Sequence, residues 1–210
     1  SSLHTVVYGG GPMYTEHLLQ AMDIFGNIFV QIFGQGEAPM TITTLPKEEH
    51  VVGGDPDRLR RLGSAGREVT GVHVAILDEQ DRELEVGATG EISVKSDLVM
   101  SGYINDSIAT SDTLRNGWLH TGDLGHLDER GYLFITDRKN DMIISGGANI
   151  YPREVEEVIA RHPSVSEVSV FGIPDPVWGE AVKAALVLSP GVYATEQDII
   201  EFCRQNMSSY

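Results

Sequence analysis

Short segments of this chain carry residue types that can do chemistry. In Gln31-Ile32-Phe33-Gly34-Gln35-Gly36-Glu37 an apolar run ends in a glycine-flanked loop that presents one carboxylate. A carboxylate so placed can hold Mg²⁺ against phosphates, because hard cations prefer oxygen ligands. Its plainer reading is a surface glutamate. In His120-Thr121-Gly122-Asp123, between Trp118 and a hairpin pattern, glycine stands beside aspartate, which predicts a tight turn aiming the Asp123 carboxylate. A carboxylate can accept from both hydroxyls of a ribose; the plainer reading is a turn aspartate. Arg138, in the charged stretch Asp137-Arg138-Lys139-Asn140-Asp141, suits a ribose or a phosphate, or simply a solvated charge run. Gly9-Gly10-Gly11 and Ser145-Gly146-Gly147-Ala148-Asn149 can let a ligand approach the backbone closely. Both also read as ordinary loops.

Other chemistries lack their residues. The seven histidines show no metal-site spacing; His120 and His126 are the closest pair, with no cysteine or third histidine near them. No serine sits in a Gly-x-Ser-x-Gly elbow, so acyl transfer by a serine triad is unsupported. Cys203 falls on the apolar side of a helix pattern and reads as core.

These residues must be positioned by a folded scaffold, and the composition supports one. The chain has 210 residues, 41% of them hydrophobic and 22% charged, enough for a core in one or two domains. Thirty-one acids against 15 bases give a net charge of −16. That excludes nucleic acid as a main partner, since phosphate binding needs basic surface; the acids are scattered, as on a solvated face. A single cysteine excludes an internal disulfide framework and fits a reducing compartment, so the expected location is cytoplasmic. No apolar run approaches the ~20 residues of a membrane-spanning helix. Glycine, 23 of 210 residues, exceeds the usual ~7%, which points to many turns or backbone–ligand contacts.

Periodicity places the segments on elements. Residues 5–8 read as a strand running into the glycine loop, 15–22 as a helix and 28–33 as a strand ended by Gly34 and Gly36. Residues 37–67 read as loop with a short helix whose cap is Asp55 and first-turn proline Pro56. Strand language follows at 72–78 and 91–95, a helix at 105–113, and a hairpin at 124–137 with Gly131 at its turn. A boundary is expected near 138–141. Beyond it come a short strand at 142–144, a helix opened by Pro152, strands at 165–173 and 181–188, and a helix started by a Thr195/Asp198 capping pair.

In order and approximate spacing these pieces resemble the adenylate-forming enzymes, specifically the acyl-CoA synthetases, or acid–thiol ligases. The matching segments are Tyr8-Gly9-Gly10-Gly11-Pro12-Met13, Phe33-Gly34-Gln35-Gly36-Glu37, residues 117–123, residues 131–138, residues 139–152 and residues 171–180. Each is weak alone; together they cover essentially the whole chain. The resemblance implies a mixed α/β and α+β architecture. Residues 1–137 would be the end of a large AMP-binding domain, an α/β piece plus a β-barrel-like unit from about Ala65. Residues 141–210 would be most of a small mobile α+β domain, with a hinge near 138–141. It implies ATP, Mg²⁺ and CoA, with a fatty or aryl carboxylic acid as the small-molecule partner. The acid would first form an acyl-adenylate and then a thioester.

The resemblance also implies roles. Glu37 would be the catalytic, magnesium-side glutamate. Asp123 and Arg138 would take the ribose. Gly9, Gly10 and Gly11 would line the adenine and acyl pocket, with Phe33 and Gly34 flanking adenine, and Gly146 and Gly147 would border the pantetheine tunnel. Two positions depart from the family wording: Gly36 stands where a threonine is usual, and Asn140 where the hinge usually has lysine or aspartate. The ATP loop would precede residue 1 and the catalytic lysine would follow Tyr210, so the 210 residues by themselves are expected to be inactive. A carrier-protein adenylation domain, a luciferase-like oxidase and a non-catalytic binding module are the alternatives.

Overall fold

A computed structural model describes residues 2–11, 13–51 and 56–207. The chain divides into two compact units, Ser1–Ile135 and Thr136–Tyr210.

The first unit opens with β1 (Val6–Gly9), α1 (Thr15–Phe25) and β2 (Phe29–Gln35). β1 and β2 pair in parallel, Val6 opposite Phe29, so the connection must cross over the sheet, and α1 is that crossover. Its Leu18 and Met22, at helical spacing, bury against Phe29 and Leu62. The expected strand end at Gly34 is not found: β2 runs through it to Gln35, and Gly36-Glu37 forms a two-residue turn into β3 (Ala38–Leu45), with Gln35 opposite Ala38. β3 occupies residues expected to be loop. Its threonines disguise it: Thr43 donates its hydroxyl to the Ala65 carbonyl at 2.6 Å and Thr44 to the Gln31 carbonyl at 3.0 Å, so polar side chains sit satisfied on a β-branched strand. α2 (Pro56–Leu62) follows, opened by Pro56; its expected cap, Asp55, lies outside the described residues. β4 (Arg67–Glu68) completes a sheet of order β1-β2-β3-β4.

A second sheet holds β5 (Val72–Leu77), β6 (Gly90–Ser96), β7 (Leu114–Arg115), β8 (Trp118–Leu127) and β9 (Leu133–Arg138), in the order β5-β6-β8-β7 with β9 also on β8. α3 (Ser107–Thr113) precedes β7, its first turn capped by the Asp106 carboxylate. The two sheets share one core: Ala38 and Ile42 pack with Val74, Ile76, Ile92, Val94, Leu119 and Leu133. Backbone bonds stitch the sheets together, Ala65 N–H to the Leu133 carbonyl at 2.7 Å and Leu133 N–H to the Gly66 carbonyl at 2.8 Å. Beside this seam the Tyr132 hydroxyl donates to the Glu49 carboxylate, across 83 positions of sequence. Arg61 and Arg67 both stand about 5 Å from the centre of the Tyr132 ring, a cation–aromatic contact on either guanidinium.

The second unit is a four-stranded sheet of order β11-β10-β13-β12, made of β10 (Ile143–Ser145), β11 (Ala148–Ile150), β12 (Val165–Asp175) and β13 (Gly179–Leu188). Two helices, α4 (Pro152–Ile159) and α5 (Glu196–Asn206), supply Ile159 and Ile199 to its core with Ile143, Ile150, Val165 and Val170. Pro152 opens α4 as expected, its fixed φ suiting a first turn that needs no N–H. The expected capping box at α5 is present: Thr195 Oγ1 accepts from Asp198 N–H at 3.2 Å while the Asp198 carboxylate accepts from Thr195 N–H at 2.8 Å. Cys203 packs against this core, and burial pushes its thiol pKa up.

Candidate functional site

Each nominated residue has a definite seat. Gly9 ends β1 beside Ile32 of β2, where an added Cβ would lie 2.1 Å from the Ile32 carbonyl oxygen; Gly10 and Gly11 follow exposed. Pro12 of the same segment lies outside the described residues. The adjoining Tyr8 hydroxyl bonds His50 Nε2 at 3.0 Å, and His50 Nδ1 faces the Pro46 carbonyl at 2.9 Å. That carbonyl can only accept, which puts the ring proton on Nδ1 and makes Tyr8 the donor. Burial lowers the His50 pKa and raises that of Tyr8.

Phe33 is half-buried and packs against the core of the first unit. Gly34 sits at the irregularity between Phe33 and Gln35, where β3 approaches so closely that an added Cβ would meet Met40 N at 2.4 Å. Glu37 stands at the tip of the β2–β3 hairpin. Its carbonyl accepts from Met100 N–H at 2.8 Å and its carboxylate from the Tyr103 hydroxyl at 2.5 Å. The hydrogen bond to Glu37 is the chief cause of a raised Tyr103 pKa. Sequence reasoning missed Tyr103, which lies 66 positions from Glu37 and carries no spacing signal. Among the described residues no group of three His, Cys, Asp or Glu side chains converges as a metal cage. A lone carboxylate at a hairpin tip fits Mg²⁺, which keeps waters and phosphate oxygens as most of its ligands.

Gly122-Asp123 is not the tight turn expected between elements. It lies within β8, where the pairing slips: Glu91 opposes Leu124 and Ser93 opposes His120, so Thr121, Gly122 and Asp123 face Ile92 alone. The irregularity is a bulge, with Gly122 at φ 73°. Side chains replace the lost ladder bonds. Thr121 Oγ1 donates to the Ile92 carbonyl at 2.7 Å and accepts from Asp123 N–H at 3.1 Å, and Glu91 Oε1 accepts from Gly122 N–H at 3.3 Å. Glycine beside aspartate is a turn signal and a bulge signal alike, and sequence alone does not separate the two.

In the second unit Arg138 ends β9 exposed, its N–H donating to the Asp137 carboxylate at 2.8 Å; the other oxygen of that carboxylate accepts from Arg153 N–H at 3.0 Å. Burial raises the Asp137 pKa against the pull of these two amides. Gly146 and Gly147, at φ 58° and 84°, form the two-residue turn between β10 and β11, with Ser145 opposite Ala148. Positive φ at both central residues is the type I′ requirement, so the hairpin by itself accounts for glycine at both positions. The Trp178 indole lies over Gly146, where an added Cβ would come within 2.7 Å of the ring. The first unit also has an open cleft of about 600 Å³ lined by Lys95, Met100, Leu114 and Trp118 among others; no nominated residue lines it.

The AMP-binding enzyme model matches residues 1–104, and the model of the AMP-binding enzyme C-terminal domain matches residues 154–210. The chain is 48% identical over 188 residues to the medium/long-chain fatty acid–CoA ligase FadD8 of Mycobacterium tuberculosis, covering 90% of this chain and 32% of the relative. Two solved structures are also similar. One is the amide bond synthetase McbA of Marinactinospora thermotolerans, with TM-score 0.89, 38% identity, 97% of this chain and 40% of that one. The other is the o-succinylbenzoate CoA synthetase of Bacillus subtilis in complex with its acyl-adenylate intermediate, with TM-score 0.84, 37% identity, 98% of this chain and 40% of that one. The chain thus spans about a third to two-fifths of the length of these relatives. Two family models in their expected order, on the units that carry the Glu37 hairpin and the Gly146-Gly147 turn, make this chain a member of the AMP-binding enzyme family.

Proposed function

We propose that the protein carrying this chain is an ATP-dependent acyl-CoA synthetase that joins a fatty or aryl acid to CoA through an acyl-adenylate. The observation that carries the reading is the Gly122 bulge, a break in the β6–β8 pairing at the position of Asp123. Asp123 and Arg138 take the ribose hydroxyls, and Glu37 holds Mg²⁺ on the phosphate side. The cation supplies neutralisation of charge on the phosphates. Phe33 and Gly34 border the adenine, Gly9 to Gly11 the acyl group, and Gly146 and Gly147 the pantetheine. Tyr103 fixes the rotamer of Glu37, and Asp137 fixes the backbone at Arg138. The fatty acid–CoA ligase among the relatives supports a thiol acceptor.

A second reading has the same adenylate passed to an amine, and the likeness to an amide bond synthetase favours it. The two differ only after adenylation. Carboxylate-dependent pyrophosphate–ATP exchange in the intact protein, run across fatty and aryl acids, tests the shared half-reaction; no exchange with any of them overturns both. CoA and amines, supplied in turn, then separate the acceptors.

A further inference from the structure

Behind the bulge lies a group of ionisable side chains that neither the nucleotide nor the metal reading uses. Glu91 is 8% exposed on β6 and His120 is 6% exposed on β8. Glu91 spends its two carboxylate oxygens differently. Oε1 accepts from the Gly122 N–H at 3.3 Å, while Oε2 faces His120 Nδ1 at 3.4 Å and Arg115 Nη2 at 3.6 Å. The far side of the imidazole faces a second carboxylate, Asp81 Oδ1, at 3.6 Å, and His120 Nε2 is buried with no hydrogen-bond partner. Asp81 is tied in turn by Asn116 Nδ2 at 2.6 Å and Arg115 Nη2 at 3.4 Å.

Buried charge is expensive unless each member is paired, and removing one member strands the others. A buried position paired with Leu77 and Leu124 is cheaper to fill with an apolar side chain than with a carboxylate. What the carboxylate does there that an apolar side chain cannot is accept from the amide left unpaired by the bulge. A bulge held by ladder bonds alone can migrate or anneal, because pairing register is weakly specified wherever bonds are missing. An acceptor fixed from behind by an imidazole and a guanidinium gives the Gly122 amide one place to be.

We propose that Glu91, backed by His120, Arg115 and Asp81, is a positioning residue that fixes the Gly122 bulge and thereby sets where the Asp123 carboxylate stands. The proposal rests on the reading of Asp123 as a ribose ligand for its functional half only. The structural half, that Glu91 holds the amide of Gly122, stands or falls separately.

The test uses Glu91→Ala and Glu91→Gln in the intact protein, each also combined with Asp123→Ala. Glu91→Ala removes the acceptor and should raise the KM for ATP in pyrophosphate exchange about tenfold, the scale of a lost hydrogen bond to a charged group, with a smaller effect on kcat. Glu91→Gln keeps an oxygen facing Gly122 and should recover part of that loss. Because Glu91 acts through Asp123, both effects should vanish in the Asp123→Ala background. A folded Glu91→Ala protein with unchanged KM, or effects that add in full to Asp123→Ala, overturns the proposal. Should Glu91→Ala fail to fold, Glu91→Gln and its double variant decide it by the same comparison. If Asp123→Ala by itself leaves the KM unchanged, the ribose reading fails. Amide hydrogen exchange at Gly122 then settles the structural half: faster exchange in the Glu91 variants sustains it, and an unchanged rate ends it.

Discussion

Gly122 in the first unit and the Gly146-Gly147 pair in the second both place glycine at positive φ beside a residue type that can meet a ligand, yet they are built on opposite terms. The pair is the closing turn of a regular hairpin: its neighbours Ser145 and Ala148 face each other in register, and Trp178 covers one side. Any sequence forming that hairpin needs glycine or a close substitute there, whether or not a ligand passes. Gly122 interrupts a strand that would be continuous without it, and its amide is satisfied by a buried carboxylate rather than by the ladder. A glycine that the fold demands says little about function, while one that costs the fold its pairing says more.

The comparison can be broken at several points. The largest effect should come from Asp123→Ala in the intact protein, which should lower carboxylate-dependent pyrophosphate–ATP exchange by about 100-fold or more, the scale of removing one pre-positioned polar group. A large fall in melting temperature with little loss of exchange would instead make Asp123 a structural residue. Next in size, Gly147→Leu should leave exchange nearly intact and lower CoA thioester formation about tenfold or more, on the logic that the two half-reactions report different transition states. An added Cβ at Gly147 meets nothing within 4 Å, but any side chain at φ 84° strains the turn, so Gly147→Ala, which carries the strain without the bulk, is the control that separates the path from the hairpin. Equal loss of both half-reactions would remove the pantetheine role from the turn.

Gly146→Ala tests the packing instead. Its Cβ would press on Trp178 at 2.7 Å with φ held at 58°, so it should destabilise the second unit by roughly 1–3 kcal/mol, read by denaturant unfolding followed through tryptophan fluorescence. An unchanged midpoint would mean the indole moves aside freely. The smallest effect, about 1 kcal/mol, should come from Thr195→Ala, which removes one half of the α5 capping box. Chemical denaturation should register it without any change in pyrophosphate exchange.

Much of this was legible in the residues. Strands with apolar alternation, such as β5 and β6, and helices with a proline start or a capping pair, α4 and α5, fall within a few residues of their expected bounds. β3 was hidden because its threonines read as loop until their hydroxyl partners, Ala65 and Gln31, are known. Those partners are distant in sequence, and so are the pairs that complete the candidate site. Tyr103 on Glu37 and Glu91 on Gly122 are contacts across 66 and 31 positions. The chemistry-bearing residue is marked locally by its glycines; the residue that holds it in place carries no local mark.

The seam between Ala65-Gly66 and Leu133 has a kinetic consequence. Its bonds, with the Tyr132–Glu49 contact beside them across 83 positions, exist only after the whole intervening chain has been brought round. The entropy of closing that loop is lost before the contacts return anything, and non-local topologies fold slowly for this reason. In the second unit the most extensive pairing is the β12–β13 hairpin, and the strand pairing most distant in sequence, Ser145 with Gly179, spans 34 positions, well short of the seam's span. Refolding should accordingly show a fast phase from residues 136–210 and a slower one from the stitched sheets. In the interval the edges of β4 and β9 stand unpaired, which is when the first unit is most open to pairing with a second chain instead of with itself.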